Sequence, residues 1–92
     1  MDPKNTKLLF VKIESPERTL FAGSAQAITS YNKQGVFDIL GYHENFITLI
    51  KNAVIIHFEN KQKQTIPVEI GIMKVYENNV SILIGIKTIP GK

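Results

Sequence analysis

The sequence predicts an all-β domain, a two-sheet β-sandwich or flattened barrel of about 8-10 short, mostly antiparallel strands. Three observations lead there. Fourteen isoleucines and six valines are present, and β-branched side chains fit a pleated, half-buried surface. No segment carries a 3.6-residue apolar stripe over a helix-length window; the nearest, Phe46, Ile47, Leu49 and Ile50, is too short to separate from a strand. Turn signals recur at roughly 8–12-residue spacing between stretches of period-two alternation.

Taken in order, residues 1–7 are polar and predict a flexible N-terminus. Leu8 to Ser15 is the first strand, with Leu9, Val11 and Ile13 on one face and Lys12 and Glu14 on the other. Ser15-Pro16-Glu17 closes it, because proline cannot donate to a ladder. Thr19 to Phe21 returns, Gly23 reads as a bulge or corner, and Ala25 to Tyr31 continues extended. Asn32-Lys33-Gln34-Gly35 is a polar turn, and Val36 to Leu40 a short strand in which Asp38 faces either way. A polar corner, Gly41-Tyr42-His43-Glu44-Asn45, leads to the apolar run Phe46 to Ile50, and Lys51-Asn52 breaks it.

The second half alternates more cleanly. Val54, Ile56 and Phe58 share a face, and Asn60-Lys61-Gln62-Lys63 is a hairpin loop. Ile66, Val68 and Ile70 are expected to face inward, and Pro67 between them points to an edge strand. Gly71 marks a bulge or tight corner before Ile72 to Glu77. Asn78-Asn79 reads as a two-residue type I′ loop, since asparagine tolerates positive φ. Val80, Ile82, Ile84 and Ile86 then alternate. The domain is expected to run over 8–87, with 88–92 as a tail.

Ninety-two residues make one small domain, which buries roughly 60–65% of its unfolded surface. There are no cysteines, so disulfides and thiolate metal sites are excluded. No apolar run reaches the 18 or more residues of a spanning helix, and the first residues do not read as a signal peptide. The expectation is a soluble protein that can still sit against a membrane complex. The net charge is +3, and Arg18 is the only arginine. The lysines are dispersed, whereas a nucleic-acid binder gathers arginine, charge and aromatics on one face.

Catalytic constellations are poor. His43-Glu44 at the corner could form a base with its orienting carboxylate, but no serine or cysteine nucleophile has a recognisable setting. His57 lies on the polar side of a strand with Glu59 two residues on, and the two histidines follow no tight metal-ligand spacing. Asp38 and Glu44 could be paired carboxylates, though nothing in the spacing requires it. Neither glycine-rich phosphate loop pattern occurs. No catalytic, metal or cofactor-binding residues are assigned.

From Leu9 to Ile84 the chain resembles the N-terminal β-sandwich domain of F-type ATP synthase epsilon subunits. Three stretches carry the resemblance: Val11 to Gly23, Gly35 to Ile50, and Ile70 to Leu83. The first is similar to the family's opening strand, its turn with proline and glutamate, and an aromatic-small-glycine step. The second follows the pattern of a glycine, a short apolar strand, a histidine corner and an apolar run with threonine. The third follows glycine, strand, turn and final strand. Departures are Gly41-Tyr42 for the family's proline-glycine, Ile70 for the first glycine of a pair, and a different loop at Tyr31-Asn32-Lys33-Gln34. The sequence stops at Lys92, where the family continues into a C-terminal helical hairpin, so the hairpin's regulatory inhibition and nucleotide binding are not assigned. Two readings stay open there: the sequence is a piece of a longer chain, or it is a short, divergent member, a feature of the family's alternate, sodium-type branch.

The resemblance implies a non-catalytic central-stalk subunit without cofactor. It would lie peripherally on the cytoplasmic face of the energy-coupling membrane, between the gamma subunit and the membrane rotor ring. Asn32, Lys33, Gln34, Tyr42 and His43 would form or border the ring contact, with His43 also fixing the corner. Ile55, Tyr76 and Leu83 would meet the gamma subunit if they form an exposed patch, or belong to the other sheet's core if they do not. The competing reading is a free-standing small β-barrel binding nucleic acid or a peptide, supported by the positive charge and by Tyr31, Phe37 and Tyr42. Salt-dependent binding to single strands would favour that module; co-purification with a gamma subunit would favour the stalk.

Overall fold

The alternation read from the sequence becomes seven strands in a computed structural model, which describes residues 8–42 and 44–85. They are β1 (Leu9–Glu14), β2 (Thr19–Ala25), β3 (Ala27–Asn32), β4 (Gly35–Leu40), β5 (Phe46–His57), β6 (Lys63–Tyr76) and β7 (Asn79–Ile84). They hydrogen-bond as one open sheet in the order β2-β1-β7-β6-β5-β3-β4. Every neighbouring pair is antiparallel except β1 with β7, which run parallel from Phe10↔Asn79 to Glu14↔Leu83.

The sheet folds over on itself. Laid flat, β2 and β4 would stand about 29 Å apart at the usual strand spacing. Yet Ala25 of β2 and Ile39 of β4 belong to one buried core with Leu9, Val11, Ile13, Ile28, Val54, Ile56, Met73 and Ile82. The sandwich therefore has a single hydrogen-bond ladder running through both layers. Fewer strands are present than the turn signals suggest, because β5 and β6 are long and serve both layers.

The fold-over sits where the pairing slips. Ile50 pairs with Gly71 and Asn52 with Val68, so two steps on β5 face three on β6. The extra residue reverses the inward face of β6: Val68 is buried before it, and Gly71, Met73 and Val75 after it. Ile70, expected inward, is 45% exposed for that reason. The expected bulge at Gly71 is present. The break expected at Lys51-Asn52 is only a local kink, with Asn52 at φ 72 inside a continuous β5. Pro67 is tolerated because β7 pairs with β6 only from Gly71 onward. At Pro67 the strand has β5 as its one neighbour, so the missing N–H breaks no ladder.

A second slip lies on the other side of β5. Thr29 pairs with Ile55 but Tyr31 with Lys51, which leaves extra β5 residues between. The Ala53 carbonyl in that span accepts a hydrogen bond from Ser30 Oγ at 2.7 Å, and Ser30 is fully buried. Ser30→Ala removes the donor and leaves a half-buried carbonyl without it, a loss of about 1 kcal/mol. Urea denaturation should show a lower midpoint with an unchanged slope; an unchanged midpoint would mean the carbonyl finds another partner.

Two other expectations shift by a residue or more. β2 runs straight through Gly23, where an added Cβ would meet the Phe21 ring at 3.3 Å. The chain instead leaves β2 at Gln26, whose N–H donates to the His57 carbonyl at 2.7 Å. The turn before β7 is Glu77-Asn78, at φ 48 and 69, while Asn79 pairs with Tyr76. These are the two positive φ values of a type I′ turn, one residue earlier than expected. The expected flexible residues 1–7, His43 and the 88–92 tail lie outside the described residues.

Candidate functional site

The outer face of the β5-β6-β7 layer carries a group of exposed apolar side chains. Register places Leu49 beside Ile72 and Ile72 beside Leu83, a row across three strands. Leu49 is 62% exposed and Leu83 41%. Ile47 lies two residues along β5, and on β6 Ile70 and Tyr76 extend the patch on either side of Ile72. The next row holds Ile47, Lys74, Ser81 and Lys12. Lys12 Nζ reaches Glu14 Oε2 at 3.6 Å, an exposed pair of little energetic weight. Apolar side chains in adjacent positions on a small domain, edged by lysine, mark a surface suited to a partner.

A second feature crosses β4, β3 and β5. Thr29 Oγ1 donates to Asp38 Oδ1 at 2.6 Å and lies 2.7 Å from His57 Nε2. A carboxylate has no proton to give, so the single Thr29 proton goes to Asp38 and the hydroxyl lone pair accepts from His57. That arrangement makes His57 the Nε2–H donor. Asp38 therefore faces outward, and His57 is half-buried and joined to Thr29 rather than paired with Glu59. Gln26, Ala27 and Leu40 line the shallow groove beside these groups. Among the described residues no three metal-ligating side chains gather in a cluster.

The expected contact residues within the described chain separate into four places. Asn32, Lys33 and Gln34 form the β3–β4 turn; Asn32 Nδ2 donates to Thr48 Oγ1 at 3.3 Å, and Asn32 Oδ1 accepts the Gln34 N–H. Tyr42 lies at the other end of β4 in left-handed backbone, φ 67. Six residues of strand separate the two, roughly 17 Å of rise. The Tyr42 N–H donates to Asn78 Oδ1 at 2.7 Å, and Asn45 Oδ1 accepts from the Glu77 N–H at 3.0 Å, so the corner is pinned to the β6–β7 turn. His43 lies outside the described residues. Tyr76 and Leu83 share the outer apolar face. Ile55 does not join them: it is half-buried between Thr29 and Thr65 on the other layer. Sequence reasoning missed Ile47, Leu49 and Ile72. The usable signal was the odd positions of β5, polar at Lys51 but apolar at 47 and 49.

Comparison with known proteins agrees with this architecture. A family model described as ATP synthase, Delta/Epsilon chain, beta-sandwich domain matches residues 8–86. The chain is 30% identical over 76 residues to the ATP synthase epsilon chain of Helicobacter pylori (strain Shi470), covering 83% of this chain and 62% of that one. It is 29% identical over 82 residues to the epsilon chain of Brevibacillus brevis, covering 88% and 62%. The chain thus spans about 62% of the length of the curated relatives it matches. In the solved Euglena gracilis mitochondrial ATP synthase (OSCP/F1/c-ring), one chain superposes with TM-score 0.80 at 16% identity, covering 98% of this chain and 58% of that chain. A chain of the Tetrahymena thermophila central stalk/c-ring structure gives 0.70 at 14%, covering 86% and 64%. At these identities the structural likeness shows the fold.

Proposed function

The chain belongs to the ATP synthase delta/epsilon β-sandwich family, and on that premise we propose that it is a non-catalytic epsilon-type subunit of the central stalk of an F-type rotary ATPase. Its work is mechanical. A sandwich stitched by one continuous ladder resists shear between its layers, and such a body transmits torque between a rotor ring and the stalk. The observation that carries the partner assignment is the exposed row Leu49-Ile72-Leu83, with Tyr76 beside it. This face is the proposed gamma-subunit contact. Ile55 is left out of it by its place on the other layer. Among the described residues no helix is long and apolar enough to cross a membrane, which suits peripheral attachment through partners.

The proposed ring contact is the Asn32–Gln34 turn, where exposed Lys33 can meet a polar or acidic loop. Tyr42 is at the far end of β4, and its backbone is engaged in closing the corner. The test is co-expression with the gamma subunit and the ring. Leu49→Ser with Leu83→Ser should weaken gamma association at least tenfold while the melting temperature stays within a few degrees. Lys33→Glu should weaken ring association, and Tyr42→Ala should leave it unchanged. Retention of gamma by the double variant would overturn the face assignment, and equal ring binding by the Lys33 variant would overturn the turn.

A further inference from the structure

The sheet has two edges, β2 and β4, and they are not equally defended. β2 is roofed near its end: Phe21 packs on Phe58 at 5.9 Å between ring centroids. The loop residues Glu59, Asn60 and Gln62 share a groove with Ser24 and Ala25. β4 makes a like ring contact on its core side, Phe37 with Phe46 at 5.8 Å between centroids, but on its outer side Asp38 and Leu40 border an open groove. Its Gly35-Val36-Phe37-Asp38-Ile39-Leu40 sequence contains no proline or lysine. Its register with β3 is regular from Asn32↔Gly35 to Ala27↔Leu40, without a bulge. Proline, bulges and charged side chains, lysine above all, are the devices that keep an edge strand from accepting another, and of these β4 has only Asp38.

The pairing fixes which groups β4 presents. A two-residue loop makes Asn32 and Gly35 the closing hydrogen-bonded pair, and bonded and non-bonded pairs then alternate. Gly35, Phe37 and Ile39 therefore bond to β3, with Phe37 and Ile39 turned to the core. Val36, Asp38 and Leu40 aim their backbone N–H and C=O groups away from β3. Their side chains stand on the outer face, with Val36 64% and Leu40 53% exposed. Between these two apolar residues stands a carboxylate whose Oδ1 is held by Thr29, itself bonded to His57. No described lysine or arginine pairs with it, in a chain of net charge +3.

We infer that the β4 edge receives an extended segment of another protein, with an apolar-basic-apolar pattern at alternate positions, as an added strand. Main-chain bonds to Val36, Asp38 and Leu40 supply the docking, and alternate side chains supply the selection. The basic residue sits opposite Asp38, because opposite charges across a strand pair stabilise it and like charges do the reverse. That term also disfavours a second copy of this chain in the register that sets Asp38 against Asp38. The inference goes beyond the stalk reading and does not rest on it: it concerns a different surface and a different test.

The probe is a capped peptide, Thr-Val-Thr-Lys-Thr-Val-Thr, labelled for fluorescence anisotropy and titrated into the full chain. Its counterpart carries glutamate at the centre. The lysine peptide is expected to bind at least tenfold more tightly than the glutamate peptide. Asp38→Asn, which leaves Thr29 an acceptor, should abolish the difference, and Asp38→Lys should reverse it. Amide exchange at Val36, Asp38 and Leu40 should slow on binding. Equal affinity for both peptides, absence of saturable binding, or protection confined to other strands would overturn the inference. So would a dimer whose β4 amides are already protected without peptide, which would make the second copy the occupant.

Discussion

Gly71→Val is expected to lower the free energy of unfolding by about 3 kcal/mol, the upper part of the overpacking range, and the melting temperature by roughly 12–24 °C in a domain of this size. The reason is room. A Cβ at Gly71 would lie 2.9 Å from the Leu83 carbonyl oxygen, 3.1 Å from Ile84 Cγ2 and 3.2 Å from Ile50 Cγ1. The first of these is backbone and cannot swing aside. The two side chains belong to the core and press from the other directions. An alanine there shortens the list of conformations open to the unfolded chain, a gain of about 0.4–1 kcal/mol. The contact with a paired backbone carbonyl outweighs that gain, so Gly71→Ala should fall between wild type and valine. Thermal melts of the three proteins check the order. An alanine variant as stable as wild type would show that β6 and β7 can separate at this point without loss.

Ile13→Ala is expected to cost about 2–5 kcal/mol, set against a total of roughly 5–14 kcal/mol for a chain of this length. Ile13 is completely buried. It is paired with Phe21 on β2 and Ile82 on β7, so it touches both neighbours of β1. Neither can close over the space without moving its own strand. Leu49→Ala provides the contrast, since its side chain is mostly exposed and its loss should stay within about 0.5 kcal/mol. Urea denaturation of both variants measures the difference. Equal losses would mean that the outer face contributes to stability as much as the core.

Much of this architecture is legible in alternation, and the failures have physical causes. Leu9, Val11 and Ile13 alternate with charged or exposed residues, and β1 forms as expected. Gly71 is legible as a bulge, because a missing side chain inside a strand signals close approach. The consequence for Ile70 is not legible: a bulge flips every following residue, and its position within two or three residues decides which apolar groups face water. The β2–β3 break at Gln26 carries no turn signal at all, whereas Gly23 carries one and is straight. A hydrogen bond from Gln26 to a distant strand makes that break, and nothing local encodes it.

The candidate surfaces divide the same way. The tip position of Lys33 follows from the turn residues around it. The row Leu49-Ile72-Leu83 depends on register among three strands, which neither strand specifies alone. The Asp38-Thr29-His57 chain depends on the order β4-β3-β5, and the sequence separations of 9 and 28 residues hide it. Sequence alone puts His57 on a polar face with Glu59 two residues on; its partner, Thr29, comes from the neighbouring strand.

The parallel pairing of β1 with β7 also governs how the chain reaches this state. The Phe10↔Asn79 contact closes a loop of about seventy residues, which costs roughly 2 kcal/mol more chain entropy than a five-residue hairpin. The β1–β2, β3–β4 and β6–β7 hairpins can each form locally and early. Joining the first of them to the last has to wait until the intervening strands are in place. Until then β1 is an edge, with its Phe10, Lys12 and Glu14 side unpaired. The step that completes the sheet is therefore its least local one, and folding should fall in the millisecond-to-second range of non-local β-topologies.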